Sequence, residues 1–251
     1  MTPAVKRAVV STLRVESLSK RFGGLQVFDG IDLELRPGSV LGVIGPNGAG
    51  KTTLINVISG MLAPTAGKVF AAGTEITGKP LHVVSALGVV RSFQQTNTFR
   101  SATVGENLDR ASRFGARSDE GDVGLAHLLR DFGLERHLDD TSGDLPYGLQ
   151  KMLGLLMALA IRPKYLLLDE PAAGLERGER PLVDHFVKHA CSVLGCGVLI
   201  VEHDMDLVRR LCPQILVLEA GRVLATGAPA DVLMRRDVVE AYMGASEVET
   251  C

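Results

Sequence analysis

The stretch Gly45-Pro46-Asn47-Gly48-Ala49-Gly50-Lys51-Thr52 constrains this chain more than any other, because its spacing, G-x-x-x-x-G-K-[ST], lets a backbone enclose phosphate. Its glycines allow the loop to turn so that successive N–H groups point inward at phosphate oxygens. A helix starting where the loop ends adds its N-terminal dipole. Lys51 supplies a point charge for the β- and γ-phosphates, the Thr52 hydroxyl completes a site for Mg²⁺, and Thr53 belongs with the nucleotide-binding residues. The flanks suit this use. Val40 to Ile44 is a continuous apolar run, as expected of a strand buried on both faces, and Lys51 to Met61 has a helical pattern. The chain is therefore expected to bind a nucleoside triphosphate.

The rest of the pattern extends that strand–loop–helix unit. Leu13 to Leu18 and Ile31 to Leu35 alternate apolar with polar residues, which predicts half-exposed antiparallel strands. Tyr165 to Leu168, Gly197 to Val201 and Ile215 to Leu218 read as buried strands. Helices are predicted over Val104–Ala111, Gly124–Phe132, Gln150–Ile161, Gly178–Val193 and Met205–Leu211. The expected fold is α/β, with a mostly parallel central sheet and an N-terminal antiparallel β portion. A helical insertion spans about 96–160, with a loop over Arg113–Val123, and the whole of 1–251 forms one domain. The helix at Gln150–Ile161 is apolar nearly all round and too short to span a bilayer, so it is expected to be buried.

Two further strand ends carry chemistry. Leu166-Leu167-Leu168 delivers Asp169 and Glu170 to the carboxyl edge of the sheet, where ligands of open parallel sheets sit. Asp169 would hold Mg²⁺, while Glu170, on the other face of the strand, would accept a proton from an attacking water. Val198 to Val201 ends in Glu202-His203-Asp204, which puts His203 within reach of a γ-phosphate. None of the four asparagines is followed by lysine, so a guanine-reading Asn-Lys-x-Asp is missing, as are protein-kinase motifs. ATP hydrolysis is the expected reaction.

Composition narrows the class. A net charge of −2 excludes a polybasic nucleic-acid glove, and 3 Tyr and 8 Phe without Trp disfavour a base-stacking platform. No apolar run approaches the roughly 18 residues of a membrane span, and no apolar segment follows Lys6-Arg7 as a signal peptide requires. Cys191, Cys196, Cys212 and Cys251 lack zinc spacing and are expected to be small core residues. Arg91, Arg100, Arg110, Arg113 and Arg117 are expected to be solvated between helices, and Arg209-Arg210 and Arg235-Arg236 to be surface pairs.

Together GPNGAGKT and LLLDEP resemble the ATP-binding subunit of ABC transporters, over nearly the whole chain. That resemblance implies that Phe22 stacks on adenine and that Phe93-Gln94 forms the Q-loop, with Gln94 sensing Mg²⁺ and the membrane partner. It makes Ala173-Gly174-Leu175-Glu176 the D-loop and His203 the switch histidine. The stretches KRFGGLQVFDGIDLEL, RSFQQTNTFRSATVGENL, DEPAAGL and VEHDMDLV look like the subfamily serving branched-chain and related amino acid importers. The implied partners are a second ATPase subunit, two membrane permeases and, indirectly, a periplasmic solute-binding protein, with the chain on the cytoplasmic face of the membrane.

One stretch departs from the family. Where Leu-Ser-Gly-Gly-Gln normally grips the γ-phosphate of the opposite subunit, this chain has Leu145-Pro146-Tyr147-Gly148-Leu149-Gln150. Pro146 offers neither hydroxyl nor N–H, and of the glycines only Gly148 remains, beside Tyr147. A heterodimer is the expectation, in which a partner's intact signature meets ATP on Gly45 to Thr52; a homodimer stays open. So do two rival classes, a largely inactive regulatory subunit and an ABC ATPase outside transport.

Overall fold

A computed structural model describes residues 11–92, 98–114 and 123–248. The hairpin of β1 (Leu13–Phe22) and β2 (Leu25–Leu35) turns at Gly23-Gly24. Its alternation buries Leu13, Val15, Leu18, Ile31, Leu33 and Leu35 on one face. β1 also pairs with β4 (Ala66–Ala71), which pairs with the short β5 (Thr74–Glu75), giving an antiparallel sheet of order β2-β1-β4-β5.

The central sheet comprises β3 (Val40–Ile44), β6 (Val89–Ser92), β7 (Tyr165–Asp169), β8 (Gly197–Val201), β9 (Gln214–Glu219) and β10 (Arg222–Gly227). Their order is β10-β9-β3-β8-β7-β6, parallel throughout except for β10 at one edge. Full burial of β7 explains its unbroken apolar run. Tyr165 and Leu167 enter the core shared with the antiparallel sheet, whereas Leu166 and Leu168 enter the core beneath the helices. Truncating one of these leucines to alanine costs about 2–5 kcal/mol.

The first core is closed by α1 (Lys51–Ile58) and by Val84 of α2 (Leu81–Ala86). The helices between β6 and β7 pack on the opposite side: α3 (Val104–Ser112), α4 (Val123–Asp131), two short 3-10 turns, and α5 (Tyr147–Ala160). They are joined by α6 (Arg180–Ser192), α7 (Met205–Leu211), α8 (Pro229–Val232) and α9 (Arg236–Val248). The apolar helix α5 is buried on nearly every side, as its pattern predicts. It begins three residues earlier than expected, at Tyr147. β4, β5, β6, β10, α2, α8 and α9 carried no sequence expectation, and most are short pieces whose place is set by packing.

The predicted loop over Arg113–Val123 falls largely at 115–122, outside the described residues. Cys196 and Cys212 are buried, with burial pushing both thiols up to about 12, so they behave as core residues. Among the described residues no helix is long and apolar enough to cross a membrane.

Two local devices fix the segment after β6. Thr103 caps α3, accepting from the Glu106 N–H at 3.1 Å while Glu106 accepts from the Thr103 N–H at 3.2 Å. The fully buried Asn107 amide accepts from the Phe99 N–H (2.7 Å) and donates to the carbonyls of Phe99 (3.2 Å) and Thr103 (2.8 Å) and to Ser142 Oγ (3.2 Å). This network holds Phe99 half-exposed at the surface, with the Arg110 guanidinium 5.1 Å from its ring centre.

Candidate functional site

Gly45 to Gly50 connects β3 to α1 in the centre of the sheet. Gly45 has φ +150°, and a Cβ there would lie 2.1 Å from the Leu218 carbonyl oxygen, so no other residue fits. Gly50, at φ +99°, precedes α1, whose first residue is Lys51. Asn47, Gly48, Gly50, Lys51, Thr52, Thr53 and Glu170 line a cavity of about 220 Å³, together with Val27 of β2. Ala49 is buried beneath the loop.

The Lys51 ammonium folds onto its own loop, donating to the carbonyls of Gly45 (2.7 Å) and Pro46 (2.9 Å). Burial pulls its pKa below the ordinary lysine value, against the pull of Glu170 and Asp169. It is held at the mouth of a cradle that presents N–H groups, a helix N-terminus and one cation to the same space.

The carboxylates arrive from β7. Asp169 is its last residue, and Asp169 Oδ1 lies 3.5 Å from Thr52 Oγ1. A hydroxyl and a carboxylate side by side at the loop are hard oxygen donors of the kind that fit Mg²⁺, with phosphate oxygens supplying further ligands. Glu170 is not placed by strand alternation, as the sequence had implied. It lies past the end of β7 with φ +48°, a left-handed conformation costing about 1–2 kcal/mol for a residue with a Cβ. Two bonds hold it there: its N–H donates to the Val201 carbonyl (2.9 Å), and its carbonyl accepts from the Lys151 ammonium (3.1 Å). His203, past the end of β8, is exposed and brings Nδ1 to 3.6 Å from Glu170 Oε1.

Four residues escaped the sequence reading. Arg91 was expected in solvent between helices; it is instead buried on β6, a strand of the central sheet. Its guanidinium pairs with Asp169 at 3.0 Å, the two side chains being 6% and 1% exposed. Burial pushes the Asp169 carboxyl up against the opposing pull of Arg91. Arg100, Arg110 and Arg113 are exposed as expected, and Arg117 lies outside the described residues. Lys151, buried in α5, also donates to the Ala173 carbonyl at 2.6 Å and so ties down the turn after β7. Buried Glu202 accepts from the N–H groups of Ala172 (3.0 Å) and His203 (3.1 Å), bracing the ends of β7 and β8 against each other. Glu179 is the fourth, its carboxylate lying against the start of α5 at Gly148.

The stretch Leu145 to Gln150 forms the start of α5. Pro146 occupies its N-cap and makes no side-chain cap bond, so the helix lacks the acceptor that a serine would provide. Half-exposed Tyr147 packs against Gly174, where a Cβ would lie 2.8 Å from the ring. Gly148 leaves room for the Glu179 carboxylate, which a Cβ would meet at 2.0 Å. Gln150 is turned inward and donates to the Leu145 carbonyl at 2.7 Å. Tyr147 and Gly148 thus sit on α5, apart from the cavity at Gly45 to Thr53. Phe22 does not line that cavity either; it stands half-exposed at the hairpin tip with the Lys20 ammonium 4.7 Å from its ring centre. Gln94, with Phe93, lies outside the described residues.

Known proteins resemble this chain in sequence and in fold. Over 248 residues the chain is 36% identical to the high-affinity branched-chain amino acid transport ATP-binding protein BraF of Pseudomonas aeruginosa, covering 92% of this chain and 97% of that one. Identity to LivG of Escherichia coli, which carries the same description, is 35% with the same coverage. A crystal structure of the ADP conformation of an ABC transporter's ATP-binding cassette superimposes with a TM-score of 0.82 at 31% identity, covering 92% of this chain and 98% of that chain. A nucleotide-free cassette gives 0.79 at 30% identity, covering 91% of this chain and 97% of that one. Residues 28–173 also match the family described as ABC transporter. A phosphate loop, two carboxylates at a neighbouring strand end and near end-to-end similarity to ATP-binding cassettes have one explanation: this chain belongs to the ABC transporter family, as one of its nucleotide-binding ATPases.

Proposed function

We propose that this chain hydrolyses MgATP to drive uptake of branched-chain amino acids or a related small solute, as one of two cassettes under a pair of membrane permeases. In this reading 1–251 is a single nucleotide-binding domain with a helical insertion over about 96–160. It sits at the cytoplasmic face of the membrane, a periplasmic binding protein supplies the solute, and nucleic acid is not a partner. The observation that carries it is the convergence of Lys51, Thr52, Asp169, Glu170 and His203 on one loop mouth. The names of the BraF and LivG relatives support the solute class.

The residues then have distinct tasks. Gly45 to Thr53 bind the phosphates through N–H groups and Lys51, and Phe22 stacks on adenine. Thr52, Asp169 and Gln94 hold Mg²⁺, which when bound neutralises charge on the phosphate oxygens. Glu170 takes a proton from water as its oxygen bonds to the γ-phosphorus and the bond to the ADP oxygen breaks. His203, 3.6 Å from Glu170, orients that water and the γ-phosphate. Tyr147 and Gly148 face the ATP of the other cassette.

The uncapped start of α5 favours a heterodimer, since Pro146 offers a partner's γ-phosphate neither hydroxyl nor N–H. ATPase activity of the purified chain, alone and with a cassette carrying an intact Leu-Ser-Gly-Gly-Gln, tests this. The expected result is turnover only in the mixture. Full turnover by the chain alone contradicts it.

A further inference from the structure

Arg91 is used by none of the steps above, yet its guanidinium reaches three elements at once. It leaves β6, whose register sets Arg91 opposite Leu167 of β7, and pairs through Nη2 with Asp169 Oδ2 at 3.0 Å. Through Nη1 it donates to Asn56 Oδ1 of α1 and contacts Met61 Sδ at 2.9 Å. The Asp169 carboxylate is thereby divided: Oδ2 belongs to Arg91, and Oδ1 faces Thr52 Oγ1 at 3.5 Å. A planar guanidinium fixes a carboxylate in orientation as well as in charge, which an ammonium on a flexible stem does not.

We infer that Arg91 is a positioning residue for the metal: it presents one oxygen of Asp169 towards Thr52 and joins the helix after the phosphate loop to the strand leading to Phe93-Gln94. This rests on the reading that Thr52 and Asp169 hold Mg²⁺. Groups that orient a metal ligand from behind commonly change metal affinity about 10–100-fold when removed. Asn56 has a supporting part, because its side chain accepts from the other arm of the guanidinium.

The test reads binding, not turnover. A fluorescent ATP analogue is titrated onto the full chain with Mg²⁺ and with chelator, and the ratio of the two affinities reports the metal's contribution. Wild type is expected to bind more tightly with Mg²⁺. Arg91→Met is expected to lose about ten-fold of that gain while keeping its affinity in chelator. Arg91→Lys should recover part of the gain, and Asn56→Ala, which leaves the ion pair intact, should lose a smaller part. If Arg91→Met does not fold, Arg91→Lys and Asn56→Ala decide the matter. A wild-type Mg²⁺ gain in every folded variant overturns the inference, as does an equal loss of affinity with and without Mg²⁺. Wild type that binds no better with Mg²⁺ overturns the metal reading itself.

Discussion

The Lys151 ammonium lies 3.1 Å from the Glu170 carbonyl oxygen, so the helix that starts with Tyr147-Gly148 holds the backbone of the proposed general base in its left-handed conformation. The same ammonium bonds the Ala173 carbonyl, which ties α5 to the turn after β7 at two points. Burial pulls the Lys151 pKa down, opposed by the nearby Glu202 and Glu170 carboxylates. Lys151→Met removes the donor and leaves two carbonyls without it. The expected loss is about 1–3 kcal/mol of stability, read by denaturant unfolding, with hydrolysis falling further than MgATP affinity. Unchanged turnover in a destabilised variant would show that Lys151 serves the fold alone.

Asn107 organises a surface it does not itself form. Its amide fixes Phe99 and Ser142, and we propose that this side of the insertion meets a membrane subunit. Asn107→Ala should cost about 1–3 kcal/mol and weaken assembly with the permeases, measured by co-purification, while nucleotide affinity stays unchanged. Phe99→Ala should weaken assembly without the stability loss, because its ring is half-exposed.

Acid should loosen the contact between α4 and α6. His189 is 8% exposed and its Nε2 has no hydrogen-bond partner among the described residues. Burial lowers its pKa, and so do His185 and His127, against the pull of Asp131. Those groups crowd together: the His127 and His189 rings are 6.1 Å apart, and Asp131 already pairs with His185 at 2.6 Å. A histidine buried in its neutral form binds fewer protons when folded than when unfolded. Its contribution is therefore complete above the unfolded pKa of about 6.5 and is lost as pH falls towards the lowered folded value. Thermal unfolding from about pH 7.5 to 5.5 should show wild type losing stability more steeply than His189→Phe. Parallel pH profiles would mean that other groups set the acid response.

The legible and illegible parts of the site differ in one physical respect. Gly45 to Thr52, Asp169-Glu170 and His203 announce themselves because each sits at the end of a buried apolar strand, where a short local pattern fixes the position. Arg91, Lys151 and Glu202 act through partners 78, 19 and 30 residues away, and no local spacing records those bonds. Arg91 was misread for a further reason: β6 is only four residues long, too short for its alternation to show. The direction of Glu170 was also hidden, since strand periodicity stops at Asp169 and the next residue turns left-handed. The buried apolar strands β3, β7 and β8 and the apolar α5 were readable; the two-residue β5 and α2, placed by packing, were not.

The most direct measurement is ATP turnover by the assembled transporter with Glu170→Gln in this chain only, alongside ATP binding by the same complex. The substitution keeps the shape of the side chain and removes its basicity, so binding should persist while turnover falls about 10²–10⁴-fold. Turnover within two-fold of wild type, with ATP still bound at Gly45 to Thr52, would contradict the assignment of hydrolysis to this chain.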